Sequence, residues 1–184
     1  KAYIGIADTN YIVEVVDIAN GAQILAHQPD VPRNITIVVT DVNTSIDAGV
    51  VTVTGTGVMG EPVSESLDLT SALTLNGTVM FKTITSVVVT LLNGEAPGDT
   101  IIVGIGTTAQ LTLGRTTLEN LIVLDDLGNV GSFGIIDGIT GGTANVAVLK
   151  TNIAAGVYEF NCSLALGLRI IMSGDSPLTV TYNQ

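Results

Sequence analysis

The chain has 184 residues, of which 46% are hydrophobic and only 12% charged, about half the charged share of an ordinary globular protein. Its 17 acids outweigh six bases for a net charge of −11, and the bases (Lys1, Arg33, Lys82, Arg115, Lys150 and Arg169) are dispersed, so neighbours in sequence build no phosphate-neutralising patch. These figures argue against direct nucleic-acid binding, against a disulfide framework (Cys162 is the single cysteine) and, with no apolar run near ~18 residues, against a membrane-spanning helix.

So little charge beside so much apolar surface predicts burial beyond one core, in an oligomer or partner interface. The first segments, Ala2 to Ile6 and Tyr11 to Ile18, are separated by Asp8-Thr9-Asn10 and end at Asn20-Gly21. Tyr11, Val13 and Val15 share one parity, Ile12 and Val16 the other, which suits a strand buried on both sides or an arm packed on a neighbour. Residues 1–28 therefore read as an N-terminal segment or arm, with Ile4, Ile6, Tyr11, Val13 and Val15 as its interface residues. The opening residues, Lys1 to Asn10, lack the continuous apolar core and the cleavage pattern of a signal peptide.

Pro29 and Pro32 then break the chain before a strand meander. Ile35, Ile37 and Val39 alternate with Thr36, Val38 and Thr40, and Val51 and Val53 with Thr52, Thr54 and Thr56. Past a connection at Gly57, Met59 and Gly60, the residues Val63, Leu67 and Leu69 share a parity that Glu65 interrupts. Thr78 to Leu92 is β-branched and reads as one bent strand or two short ones; Thr100 to Ile105 comes after a turn at Asn93 to Asp99. Thr107 to Arg115 reads as a linker crossing between sheets. Leu121 to Leu124, Val130 to Ile136, Ala144 to Leu149, Gly156 to Ser163, Leu168 to Met172 and Leu178 to Tyr182 are strands parted by glycine-rich turns at the spacing of antiparallel sandwiches. The expected fold is all-β: an antiparallel, jelly-roll-like β-sandwich over 29–184, with two small β modules meeting near residue 107 as the alternative.

No pattern spells out catalysis, and no catalytic residue, cofactor or metal ligand is assigned. His27 stands alone without a nucleophile motif, and Cys162 sits in an apolar run where a buried thiol is inert. Asp41, Asn43, Ser45 and Asp47 alternate like calcium-loop oxygens, but Ile46 replaces the turn glycine and Thr52 the closing glutamate, so a loop held by Asx turns is expected. Asp125, Asp126 and Asp137 are the acids a hydrolase would draw on. Gly104-Ile105-Gly106 is a lone GxG, read as a turn that ends a strand. Four Asn-x-Ser/Thr triplets, at Asn34, Asn43, Asn76 and Asn161, are expected by chance in so Thr-rich a chain.

Several segments carry a resemblance. Pro32-Arg33-Asn34-Ile35-Thr36-Ile37, Gly49 to Thr56 (GVVTVTGT), Gly60-Glu61-Pro62-Val63-Ser64-Glu65, Phe81, Ile84-Thr85-Ser86-Val87 and Pro97-Gly98-Asp99-Thr100-Ile101 succeed one another as in tailed-bacteriophage virion proteins of the auxiliary, capsid-decoration type. The ending, Gly167 to Met172 and Leu178 to Tyr182, resembles the closing hairpin of such proteins, and roughly half the chain is covered. The resemblance implies a non-enzymatic protein on the outer surface of a phage head, a homotrimer, with the major capsid protein as partner. A receptor- or glycan-binding β module of a fibre or surface layer is the rival expectation.

Overall fold

The computed structural model describes residues 2–5, 7–69, 74–123, 132–137, 144–149, 154–173 and 177–183. Among them there is no helix. The strands are β1 (Ala2–Ile4), β2 (Asp8–Asp17), β3 (Gly21–Ala22), β4 (Arg33–Thr40), β5 (Ala48–Thr56), β6 (Pro62–Asp68), β7 (Thr74–Asn76), β8 (Thr83–Asn93), β9 (Thr100–Gln110), β10 (Thr116–Val123), β11 (Ser132–Asp137), β12 (Ala144–Leu149), β13 (Gly156–Leu164), β14 (Leu168–Ser173) and β15 (Leu178–Asn183). Every pairing whose register is described is antiparallel. The chain is an all-β protein built as an antiparallel sandwich.

It divides into two compact units. One comprises Asp8–Pro29 and Asn34–Gly106; the other comprises Lys1–Ala7, Asp30–Arg33 and Thr107–Gln184. We call them the meander unit and the C-terminal unit.

In the meander unit one sheet has the order β3-β8-β5-β6, and the first part of β9 is flanked by β2 and β4, with β7 beyond β4. The alternation in β4, β5 and β8 sends Ile35, Ile37 and Val39, Val51 and Val53, and Val87 and Val89 into a single core with Phe81, Ile101 and Val103. All of these are buried, as the period-2 pattern requires. Each such side chain contributes about 1.5–3 kcal/mol by leaving water. β2 departs from the expected alternation. Its register against β9 shifts on both sides of Val13; the consecutive residues Ile12 and Val13 are both buried in the meander core, while Val15 faces solvent.

In the C-terminal unit the order β1-β15-β10-β13 forms one sheet, and β12-β11-β14 continues to the last residues of β9. Ile4, Leu118, Leu121, Val180, Ile135 and Ile170 meet in its core. Residues 107–110 are not a linker: β9 runs on to Gln110, where Thr108, Ala109 and Gln110 pair with Ile171, Ile170 and Arg169. Nor do Gly104 and Gly106 end a strand. A Cβ at Gly104 would lie 1.9 Å from the Asp8 carbonyl oxygen and one at Gly106 would lie 2.5 Å from the Asn34 amide, so close approach selects glycine inside β9.

The N-terminal residues are strands in both units. Ala2, Tyr3 and Ile4 pair with Val180, Thr179 and Leu178. The end of β1 is held by a half-buried ion pair: Arg33, whose side chain is fully buried, donates from Nε to Asp30 Oδ1 at 2.7 Å and from Nη2 to Asp30 Oδ2 at 3.1 Å. The same guanidinium donates to the Gly5 carbonyl, and Gly5 N donates to Asp30 Oδ2 at 2.6 Å. A fork paired to a carboxylate and a carbonyl keeps the buried charge satisfied.

Candidate functional site

The five expected interface residues part company. Ile4 lies in the core of the C-terminal unit and Val13 in that of the meander unit. Tyr11 is half-buried against the meander core, with its ring 5.0 Å from that of the exposed His27. Val15 is 61% exposed. Ile6 lies outside the described residues.

The carboxylates act on the backbone. Asp41 accepts hydrogen bonds from Ser45 N at 3.1 Å and Ile46 N at 3.0 Å; burial would raise its pKa, but main-chain donors at Ile46, Ser45, Asn43 and Thr44 outweigh this and hold it below the ordinary value. Asp99, buried, accepts from Val42 N and Ala96 N, both at 2.8 Å. The loop from Asp41 to Asp47 is thus closed by Asx-type bonds, and among the described residues no three His, Cys, Asp or Glu are grouped to hold a metal ion. Glu65, the exception on its apolar face, accepts from Thr78 N at 2.7 Å, Thr78 Oγ1 at 3.0 Å and Val79 N at 3.3 Å. It ties the loop after β7 to β6, where a Cβ at Gly77 would come within 2.3 Å of Glu65 Oε2.

Asp137 accepts from Ala165 N at 2.9 Å and Leu166 N at 2.8 Å; these bonds, with a smaller one from Gly167 and against the opposing effect of burial, lower its pKa. Asp125 and Asp126 lie outside the described residues. Burial pushes the Cys162 thiol up, with the Asp137 charge adding to it, which keeps it protonated and unreactive. Of the four glycosylation triplets, the one at Asn34 is closed in the folded chain: its side chain is buried and donates from Nδ2 to the Gly77 carbonyl at 3.1 Å.

Among the described residues two surfaces are suited to binding. The first is the outer face of the β3-β8-β5-β6 sheet, where register sets hydroxyls side by side: Thr52 with Ser66 at 2.9 Å, Thr54 with Ser86 at 2.5 Å and Thr56 with Thr83 at 2.7 Å. Asp68 is the one carboxylate among these outward positions of β5, β6 and β8, and Ile24 (84% exposed) and Leu91 (75% exposed) are large apolar side chains left in solvent on the same unit. The second is an open cleft of about 450 Å³ in the C-terminal unit, lined by Arg115, Thr117, Ser163, Leu164, Ala165 and Asn183. Ser163 and Asn183 pair with Thr117 from β13 and β15, so three polar side chains form one row across three strands. Sequence reading missed this row because its members are distant in the chain and meet only through a register that a bulge between Leu118 and Asn120 shifts.

No protein-family model matches this chain, and neither do the curated proteins or the solved structures.

Proposed function

We propose that this chain is a non-enzymatic structural protein of a phage virion, a homotrimer of the capsid-decoration type that binds the outer surface of the head through the major capsid protein. One observation carries the reading: on a molecule of net charge −11, the hydroxyl face of β5, β6 and β8 holds a single carboxylate. A face without like charges lets another protein surface approach where the rest of the molecule repels acidic neighbours. Its neutral hydroxyls already bond one another, so covering them leaves no charge stranded. The carboxylates of Asp41, Asp99, Glu65 and Asp137 support the same reading, since each fixes a loop and a rigid scaffold suits attachment to a preformed shell. The segment resemblance to decoration proteins supplies the particular shell.

Mass spectrometry of purified phage heads tests this. The protein should be present at a copy number set by capsid symmetry, and native mass spectrometry of the free protein should show trimers. Thr54→Lys with Ser66→Lys, which introduces charge on the face, should abolish recovery on capsids while circular dichroism stays unchanged. Heads without the protein, or heads decorated normally by the double variant, would overturn the proposal.

A further inference from the structure

The cleft of the C-terminal unit has the makings of a ligand site that the capsid reading does not use. Its volume lies within the roughly 300–1,000 Å³ usual for small-molecule sites. Arg115 lines it, exposed, and has no ion-pair or hydrogen-bond partner among the described residues. A guanidinium with no partner among the described residues, in so acidic a protein, attracts an anion.

Both walls are fixed before any ligand arrives. On one side the turn at Ala165 and Leu166 is clamped by the Asp137 carboxylate. On the other, Thr116 Oγ1 donates to Thr112 Oγ1 at 2.8 Å, and Thr112 Oγ1 accepts from Leu168 N at 2.9 Å, pinning the loop that carries Arg115. Gly114 N donates to the Leu166 carbonyl at 3.0 Å, joining the two turns beside the arginine. A site held this way loses little entropy on binding.

The row Ser163, Thr117 and Asn183 sets the ligand's other functions. Asn183 donates from Nδ2 to Glu119 Oε1, which leaves its amide oxygen as an acceptor for a hydroxyl. The Ser163 and Thr117 hydroxyls donate or accept as required. One guanidinium matches one negative charge, and the Glu119 carboxylate bonded to Asn183 opposes a dianion such as phosphate more strongly than a monoanion. We propose that this cleft binds a carboxylate-bearing saccharide, the carboxylate on Arg115 and the ring hydroxyls along the row, with a hexuronic acid as the simplest member. This holds wherever the protein resides, and so stands apart from the capsid reading.

Titrating the full chain with glucuronate, monitored by amide NMR shifts, tests the proposal. Saturable shifts in the millimolar range are expected at Thr117, Ser163, Asn183 and the 165–167 turn. Arg115→Gln should weaken binding at least about tenfold, and its spectrum without ligand should otherwise match the wild type, since the side chain is exposed. Ser163→Ala should weaken glucuronate but leave acetate unchanged. Glucose and acetate should each bind at least about tenfold more weakly than glucuronate. Absence of saturation with glucuronate, equal binding by the Arg115→Gln variant, or acetate or inorganic phosphate binding as well as glucuronate would overturn it.

Discussion

Asp137 shows how a carboxylate in this chain is used, and it makes the use measurable. Its pKa is lowered from the ordinary 3.8 chiefly by the Ala165 and Leu166 amides. A folded-state pKa below the unfolded one contributes stability that is fully present above the unfolded value and is lost as pH falls through the folded value. The wild type should therefore lose stability to urea below about pH 4, and Asp137→Asn should differ from it most at neutral pH, with the gap closing in acid. Urea midpoints for the two proteins from about pH 7 down to about pH 2 check this; a gap that does not depend on pH would mean that the carboxylate's charge is not what the turn uses. Glu65 is the same device read at one remove. Its placement on an apolar face was legible in the sequence, but its partners Thr78 and Val79 were not, because they reach it from the loop after β7.

At the scale of elements, strands declared themselves where branched residues alternate with threonine, as in β4, β5 and β8. They were misread where the backbone departs from period two. In β2 the register against β9 shifts on both sides of Val13 and leaves Val15 exposed, and Thr107 to Gln110 lacks branched apolar residues yet is buried at Ala109 and Gln110 because β14 pairs with it. A further irregularity invites a test. Leu91 has φ +55° within β8, where the register against β5 slips between Ala48 and Val50, and the Asn20 side chain fills in by bonding both the N–H and the carbonyl of Leu92. A left-handed leucine costs roughly 1–2 kcal/mol. Since Leu91 is mostly exposed, Leu91→Gly should raise unfolding stability by about 0.5–1 kcal/mol in urea titration, after the glycine's extra unfolded-state entropy is subtracted. A loss of stability would show that Leu91 packs against something in the folded protein.

For the whole molecule, the two cores share no residue: Val53 belongs to one and Leu121 to the other. Each truncation to alanine should cost about 2–4 kcal/mol, and hydrogen exchange should quicken chiefly in the unit that carries the change. The double variant's cost should equal the sum of the single costs within about 0.5 kcal/mol. A spread of fast exchange through both units after either substitution would mean that they open as one. The all-β class was readable from turn spacing alone. The distribution of the chain between units was not, since short pieces such as Asp30–Arg33 carry no local signal that they pack with residues far downstream.

That distribution sets an order of events during synthesis. The meander unit draws on nothing beyond Gly106, so its strands can settle while the ribosome is still adding the later ones. The C-terminal unit joins segments far apart in the sequence: β1 pairs with β15, so its apolar edge stays unpaired until β15 has been made. The Arg33, Asp30 and Gly5 bonds close entirely within the early part of the chain. They are available to hold the waiting strand against its own neighbours, rather than those of another nascent copy, until β15 arrives.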